Sequence, residues 1–333
     1  VHYIWYVNSA LHMVFWTNYS FSILFNSFST NHFKASTFVR ERLPLSNGIS
    51  CTIFTPTNLV QYKRLQICSY LRTYFGNPPS TPVLDIPEQS ILGPYDLIIV
   101  LEYNGLIVGT IRYHYIGEYL PNKENIYCVD CFCIHPTWRK KGLGDFLLTE
   151  LHHYANEHNI PYCMFLKEGQ LLQTIHFPFY TGTYVYRQLS HRKHHPSFVY
   201  KLSVEKAYRL MDQWTQIQPH LFIIRNRQST NQEWLLYKRG IYYVLACIQN
   251  TFQKKDNQQM GWITAWLESP YMVDSIRSEA SEQISATSSF DYLWMNKEWV
   301  GDSKLWKTDG LFHWYSYQWT TGLTIGKSYC ILT

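Results

Sequence analysis

Phe132-Cys-Ile-His-Pro-Thr-Trp-Arg-Lys-Lys-Gly-Leu-Gly144 is the stretch from which the fold is read. The residues leading into it, Asn125–His135 (NIYCVDCFCIH), are rich in β-branched, aromatic and small buried types and predict a strand. Pro136 breaks that strand, because it has no N–H for the ladder. From Leu143 to His158 the apolar residues fall at helical spacing, so a helix begins just past Gly142. Arg139-x-x-Gly142-x-Gly144 therefore opens a helix straight after a strand. Glycines there let the backbone come close to a bulky anion, and the unpaired N–H groups at the positive end of the helix dipole favour a diphosphate. Arg139, Lys140 and Lys141 add charge beside it. A dinucleotide fold would instead need G-x-G-x-x-G after its first strand and an acidic residue further on; neither occurs here.

Working outward, Leu45-Ser-Asn-Gly-Ile49 predicts a turn into a short strand, Cys51–Phe54, and a helix follows over Asn58–Tyr74. Leu97–Glu102 and Leu106–Tyr113 read as strands of a hairpin through Asn104-Gly105. Past the central helix, Tyr162–Leu166 and Tyr180–Leu189 read as strands. The second half repeats this grammar: helix Val204–Gln216, strand Leu221–Arg225, hairpin Trp234–Tyr237/Ile241–Ile248, strand Gly261–Trp266, helix Pro270–Ile284 and strand Phe312–Trp319. The order of elements recurs even though sequence identity between the halves is not visible. His191-Arg-Lys-His-His195 marks the junction and reads as a solvated basic linker.

At 46% hydrophobic and 16% charged, the chain of 333 residues is not intrinsically disordered. Its 29 Lys+Arg against 24 Asp+Glu give +5, too mild a charge for a nucleic-acid binder but suited to an anionic ligand held by a few local cations. The eight cysteines do not form a disulfide framework for this length, so free thiols and a cytoplasmic setting are expected. Cys128-x-x-Cys131 has no second pair to complete a zinc site, and no metal is expected. Residues 1–33 carry no Asp, Glu, Lys or Arg. Asn8, Ser9, Asn18, Ser20 and Ser22 interrupt that arm too often for a spanning helix; it reads as a buried or membrane-touching segment. No signal-peptide pattern is present at the first residue, Val1, and the natural start is read as missing.

The strand, turn and basic glycine-containing helix start resemble the acyl-CoA-binding core of the GNAT acyltransferase superfamily. A narrower resemblance is to the N-myristoyltransferases. Cys133-Ile-His135 and the basic run after it are similar to that family's E-I-N-F-L-C-V-H-K followed by L-R-S-K-R. Tyr184-Val-Tyr-Arg-Gln-Leu-Ser-His-Arg-Lys193 is similar to its Y-W-H-R-S-L-N-P-R-K. Asp309-Gly310 with Trp314-Tyr-Ser-Tyr-Gln-Trp319 resembles its G-D-G and Y-Y-L-Y-N-W, and Lys327-Ser-Tyr-Cys-Ile-Leu-Thr333 its K-V-G-L-V-L-Q. Phe15-Trp16 matches an F-W near the start. These run in the family's order along nearly the whole chain. The family's Glu and Asn are replaced by Cys128 and Asp130, and the Thr of its Y-T-A-G falls at Leu166 or Lys167, which marks a divergent member.

The resemblance implies an α/β (α+β) fold of two tandem GNAT-like halves with mixed twisted sheets, flanking helices and a pseudo-two-fold. The arm would cover residues 1–40, the acyl-CoA half 41–200, and a second half for peptide and chain end 201–333. Phe132, Cys133 and Ile134 would hold the pantetheine arm, and Arg139, Lys140, Lys141, Gly142, Leu143 and Gly144 the phosphates. Phe15 and Trp16 would wall the acyl cavity. Backbone N–H groups of Cys131 and Phe132 would form the oxyanion hole, and the α-carboxylate of Thr333 would be the base. Tyr184, Tyr186, Asp309 and Gly310 would meet the substrate. The implied activity is that of a glycylpeptide N-tetradecanoyltransferase: myristoyl-CoA donates to the N-terminal glycine amine of a peptide or protein, by a monomer with peripheral membrane contact at most. The alternative is a GNAT acetyltransferase using acetyl-CoA on a small amine or lysine, with Asp130 as base and Tyr180 as acid.

Overall fold

The computed structural model describes residues 34–35, 41–76, 83–120, 123–160, 162–171, 178–189, 197–218, 221–227, 229, 231–317, 319–320 and 325–332. The arm around Phe15-Trp16, the junction loop 191–195 and Thr333 lie outside them.

In chain order the first half runs β1 (Lys34–Ala35), β2 (Ile49–Phe54), α1 (Gln61–Tyr74), β3 (Val83–Leu84), the hairpin β4 (Leu97–Tyr103) and β5 (Leu106–Tyr119), β6 (Glu124–Ile134), α2 (Leu143–Glu157), β7 (Cys163–Glu168) and β8 (Tyr180–Gln188). The second half runs β9 (Val199–Leu202), α3 (Val204–Ile217), β10 (Phe222–Arg225), the hairpin β11 (Gln232–Arg239) and β12 (Tyr242–Lys255), β13 (Gln258–Glu268), α4 (Asp274–Thr287), β14 (Tyr292–Asn296), β15 (Lys307–Tyr317), β16 (Trp319–Thr320) and β17 (Tyr329–Ile331).

Both hairpins form where Asn104-Gly105 and Gly240 supply positive φ at the turn. α3 is capped by the Ser203 hydroxyl, which accepts from Lys206 N. α4 starts at Asp274 rather than Pro270, because the chain first makes a turn closed by Met272 N donating to Ser269 O at 3.1 Å. The strand expected over Phe312–Trp319 begins earlier, at Lys307, and stops at Tyr317; Trp319–Thr320 pairs separately with β1.

Among the described residues one mixed sheet of 15 strands carries both halves, and they exchange strands. β15 lies between β7 and β8, while β14 pairs with β8 on one side and with β13 on the other. The path β13–β14–β8–β15–β7–β6–β5–β10–β17–β13 therefore closes on itself. The interior of this ring is filled by aromatic and aliphatic side chains such as Tyr180, Trp266, Trp314 and Tyr329. β17 is inserted between β10, to which it runs parallel, and β13; Tyr329, Cys330, Ile331 and Leu332 are all buried.

Candidate active site

β6 changes character at Cys131. Arg112 pairs with Asp130 and Thr110 with Cys133, so Cys131 and Phe132 together stand opposite the single residue Ile111. This is a β-bulge, and Cys131 takes the left-handed conformation at φ 47°. The extra residue resets which face each side chain meets. Val129 packs on the α2 side before the bulge, and Phe132 and Ile134 pack there after it. Cys131 and Cys133 pack on the α1 side instead. A regular strand could not turn the 131–132 peptides out of the ladder; the bulge is what frees this segment from regular pairing. β6 and β7 also part here: their parallel pairing is confined to Tyr127↔Cys163 and Cys128↔Met164.

Beyond the bulge the chain makes the expected break. His135 accepts from Thr137 N, Pro136–Trp138 form a short 3-10 turn, and α2 begins after Gly142. Gly142 has φ 79°, and a Cβ on it would meet nothing within 4 Å. Lys140, Lys141 and Gly142 are exposed, so the mouth of α2 is open rather than plugged. The first N–H groups of a helix have no intrahelical acceptor. Lys141 Nζ stands over the Trp138 ring at 4.5 Å, and Arg139 Nε donates back to Ile134 O at 3.1 Å, which fixes the turn. Gly144 packs closely under Phe132: a Cβ there would stand 3.1 Å from the ring, tighter than most such contacts.

A cavity of about 460 Å³ opens at the bulge. Its first-half wall includes Asp96, Arg112, His114, Cys128, Asp130 and the bulge residues Cys131 and Phe132; its second-half wall includes Asn226, Gln249, Asn250, Trp262, Trp294 and Trp314. Of the residues expected from sequence, Asp130, Cys131, Phe132 and Tyr184 come together here. Tyr186 lies beside that wall, packed with the cluster of Tyr292 and Trp294. Asp309 accepts from Trp294 Nε1 at 3.0 Å, and so orients a cavity tryptophan rather than lining the space itself. Gly310 sits at a bulge of β15, opposite Tyr184.

Asp130 is clamped. Arg112 Nε donates to its Oδ1 at 2.6 Å and the Arg112 terminal nitrogen to its Oδ2. Arg112 is itself buried and also donates to Ile91 O at 2.8 Å. Burial works against the guanidinium charge, but Asp130, with Cys131 and Asp96 adding to it, outweighs burial and pushes the group up. The carboxylate thus has both oxygens engaged, which leaves the base role of the alternative mechanism to a group already holding a partner. Tyr180, the acid of that mechanism, is not on the cavity wall: it is buried in the ring interior, bonded to Asn296 and, at 3.4 Å, to Glu298. The structure does not bring the two together at the cavity.

Burial disfavours the thiolate form of the cysteines in this segment. Burial pushes Cys133 up to about 11, against smaller lowering by Tyr70 and Arg139, and holds Cys128 and Cys131 well above the ordinary thiol range. All eight cysteines are free. Among the described residues no cluster of three His, Cys, Asp or Glu could hold a metal, and no helix is long and apolar enough to cross a membrane.

Asp96, Arg112 and His114 were not singled out from sequence. Their signal was weak: alternate positions on an apolar strand look like ordinary cross-strand charges. Only the fold shows that this face of β5 lines a cavity.

The arrangement can be set beside known proteins. Residues 64–180 match the model of the Acetyltransferase (GNAT) family. No curated protein sequence matches the chain. Among solved structures, a Saccharomyces cerevisiae N-myristoyltransferase with bound myristoyl-CoA aligns over 86% of this chain and 86% of its own, with TM-score 0.62 and 11% identity. A second structure of that yeast enzyme, with myristoyl-CoA and inhibitors, aligns over 86% and 84% with TM-score 0.61 and 11% identity. A GCN5-related N-acetyltransferase from Anabaena variabilis aligns over 80% and 72% with TM-score 0.45 and 11% identity.

Proposed function

We propose that this chain, whose residues 64–180 match the Acetyltransferase (GNAT) family model and whose fold resembles that of N-myristoyltransferase, transfers an acyl group from acyl-CoA to the amine of a peptide, with a long chain such as myristoyl as the group moved and an N-terminal glycine as the acceptor. The observation that carries this reading is the cavity walled by the bulge of one half and by the tryptophans and amides of the other. An acyl-CoA whose diphosphate rests at the mouth of α2 runs its pantetheine arm along β6, where β6 and β7 part. It then presents its thioester carbonyl to the N–H groups of Cys131 and Phe132. Donors aimed at the developing oxyanion are worth about 10²–10³ in rate each. The acceptor amine enters from the second-half side, between Asn226, Asn250 and the tryptophans.

The long-chain, peptide-directed form draws on the likeness over both halves to a protein described with bound myristoyl-CoA. The second reading, acetyl transfer to a small amine or lysine, is favoured by the match of residues 64–180 to the acetyltransferase model.

The test is to incubate the purified chain with acetyl-CoA and with myristoyl-CoA, and to weigh the complex under native conditions. Retention of myristoyl-CoA, followed by thiol release on adding a glycine-terminated peptide, supports the first reading. Retention of acetyl-CoA alone supports the second, and retention of neither overturns both. Adding one residue after Thr333 abolishes turnover only where its carboxylate is the base.

A further inference from the structure

Asp96 lies in the turn that enters β4, with a side chain only 1% exposed. Its carboxylate is saturated with donors. Oδ1 accepts from Tyr115 N at 2.7 Å, and Oδ2 accepts from Gly93 N at 2.7 Å and meets His114 Nδ1 at 2.8 Å. An unpaired carboxylate so deeply buried would be costly; three donors aimed at it make this a built site rather than a chance surface pair.

Burial alone would raise the Asp96 carboxyl, but the His114 ring, Arg112 and the Gly93 N–H outweigh it and bring it down to about 2. It is therefore ionised, and acceptor-only, at neutral pH. A carboxylate only accepts, so Nδ1 of His114 donates to it, and Nε2 is the ring nitrogen left over. Among the described residues nothing bonds Nε2. The side chain is 24% exposed and lines the cavity.

The position on the sheet gives this pair a purpose. Thr110, Arg112 and His114 alternate on one face of β5. Thr110 Oγ1 donates to Cys131 O at 2.8 Å, Arg112 clamps Asp130, and His114 stands opposite Cys128. His114 is thus one diagonal step, about 7–8 Å between Cα atoms, from the residue that precedes the bulge. The other acidic group of this face, Asp130, is already taken by Arg112.

We propose that His114, oriented by Asp96, is the group that takes the proton from the acceptor amine and hands it to the departing thiol. This rests on the acyl-transfer reading above but names a residue of the cavity that reading does not use. The neutral amine forms the C–N bond with its lone pair, and the carbonyl π pair moves onto oxygen beside the bulge. Nε2 takes one N–H proton. The oxygen pair then re-forms C=O, the C–S bond breaks with its electrons on sulfur, and Nε2–H returns the proton to that sulfur. Amide and free thiol result, and the imidazole ends as it began. Asp96 is a positioning residue: it fixes the ring, sets the tautomer and stabilises the imidazolium between the two steps, as the carboxylate of a hydrolase triad does.

The charged and titratable groups that line the cavity with His114 are Tyr95 and Asp96 from the turn before β4, Arg112 and Tyr115 from β5, Cys128, Asp130 and Cys131 from β6, and Glu168 and Tyr184. Asp96 is the one bonded to it.

The experiment compares the full chain with H114Q and D96N. Native mass of the acyl-CoA complex reports folding and binding, and thiol release with a glycine-terminated and a lysine-containing peptide reports turnover across pH. H114Q is expected to retain acyl-CoA while its turnover falls roughly 10²–10⁴-fold at neutral pH. The neutral amine is needed in either case, so the limb set by the amine remains, while the limb that a proton-accepting ring adds to the kcat/KM profile is lost in H114Q. D96N reproduces the kcat loss without a matching rise in KM, a split that a merely structural role would not give. Wild-type turnover with H114Q within about threefold of it, and the acidic limb unmoved, overturns the dyad and leaves the acyl-transfer reading standing. A wild-type chain that binds acyl-CoA yet releases no thiol to either peptide overturns both.

Discussion

A Cβ on Gly117 would stand 2.4 Å from the carbonyl oxygen of Arg225. The two residues lie where β5 of the first half meets β10 of the second, beside the pairs Ile224↔Tyr119 and Arg225↔Glu118. Gly117 also has φ 134° at an irregularity in the β5–β6 ladder. Backbone conformation and close approach therefore both require glycine here. G117A is expected to lower stability by about 3 kcal/mol, from strained backbone and a forced separation of the strands. Urea unfolding measures it. An unchanged midpoint would mean the halves do not meet at this seam as described.

The Arg112–Asp130 pair makes a second expectation. D130N removes the charge that neutralises a buried guanidinium but leaves its bond to Ile91 O. Asp130 is about a third exposed, so water softens the loss, and about 2 kcal/mol of destabilisation is expected rather than the full cost of an orphaned buried charge. The thermal midpoint falls, while the acidic limb of the rate profile stays in place. Were Asp130 the base of the alternative acetyltransferase mechanism, the reverse would be seen: a lost limb with an almost unchanged melt.

These two sites also show what a linear sequence conceals. The strand–turn–helix from Asn125 to His158 was legible because Pro136, Gly142 and the change from strand to helical spacing are local signals. The same holds for both hairpins, whose turns carry their own chemistry in Asn104-Gly105 and Gly240. The exchange of β8 and β15 was not legible, since strand order depends on contacts more than a hundred residues apart, such as Trp314↔Tyr180. β14 escaped notice because Tyr292–Asn296 is buried on both faces and shows no alternation. At the site, Cys131 and Phe132 could be placed by resemblance, but the bulge that gives them meaning is set by pairing with Ile111. Asp96 and His114 are eighteen residues apart, and only the fold of the β4 entry turn over β5 makes them a pair.

Asp96 also links stability to acidity. Its carboxyl is held at about 2 in the folded chain against an ordinary value of 3.8. A carboxyl depressed by folding contributes stability that is complete above its unfolded pKa and is lost as pH falls through the folded one. The contribution is on the order of 2 kcal/mol at neutral pH, and it should decline between about pH 4 and pH 2. Urea midpoints measured across that window for wild type and D96N should converge at the acid end. Parallel curves would mean that the buried carboxylate is not charged in the folded protein.

The grip on the diphosphate is tested at Gly142 without touching the reacting centre. The open space around it means that G142A adds no collision, only the strain of an alanine at φ 79°, of order 1 kcal/mol. That strain reorients the first N–H groups of α2, and the loss should appear in binding of acyl-CoA. A K140A/K141A pair should act in the same direction and make binding less sensitive to salt, because exposed lysines act through screened charge. An acyl-pantetheine thioester, which lacks the nucleotide diphosphate, supplies the control. If the mouth of α2 holds the phosphates, both variants raise KM for acyl-CoA severalfold and leave KM for the short thioester and kcat unchanged. Equal losses for the two thioesters would place the defect in the β6 segment instead.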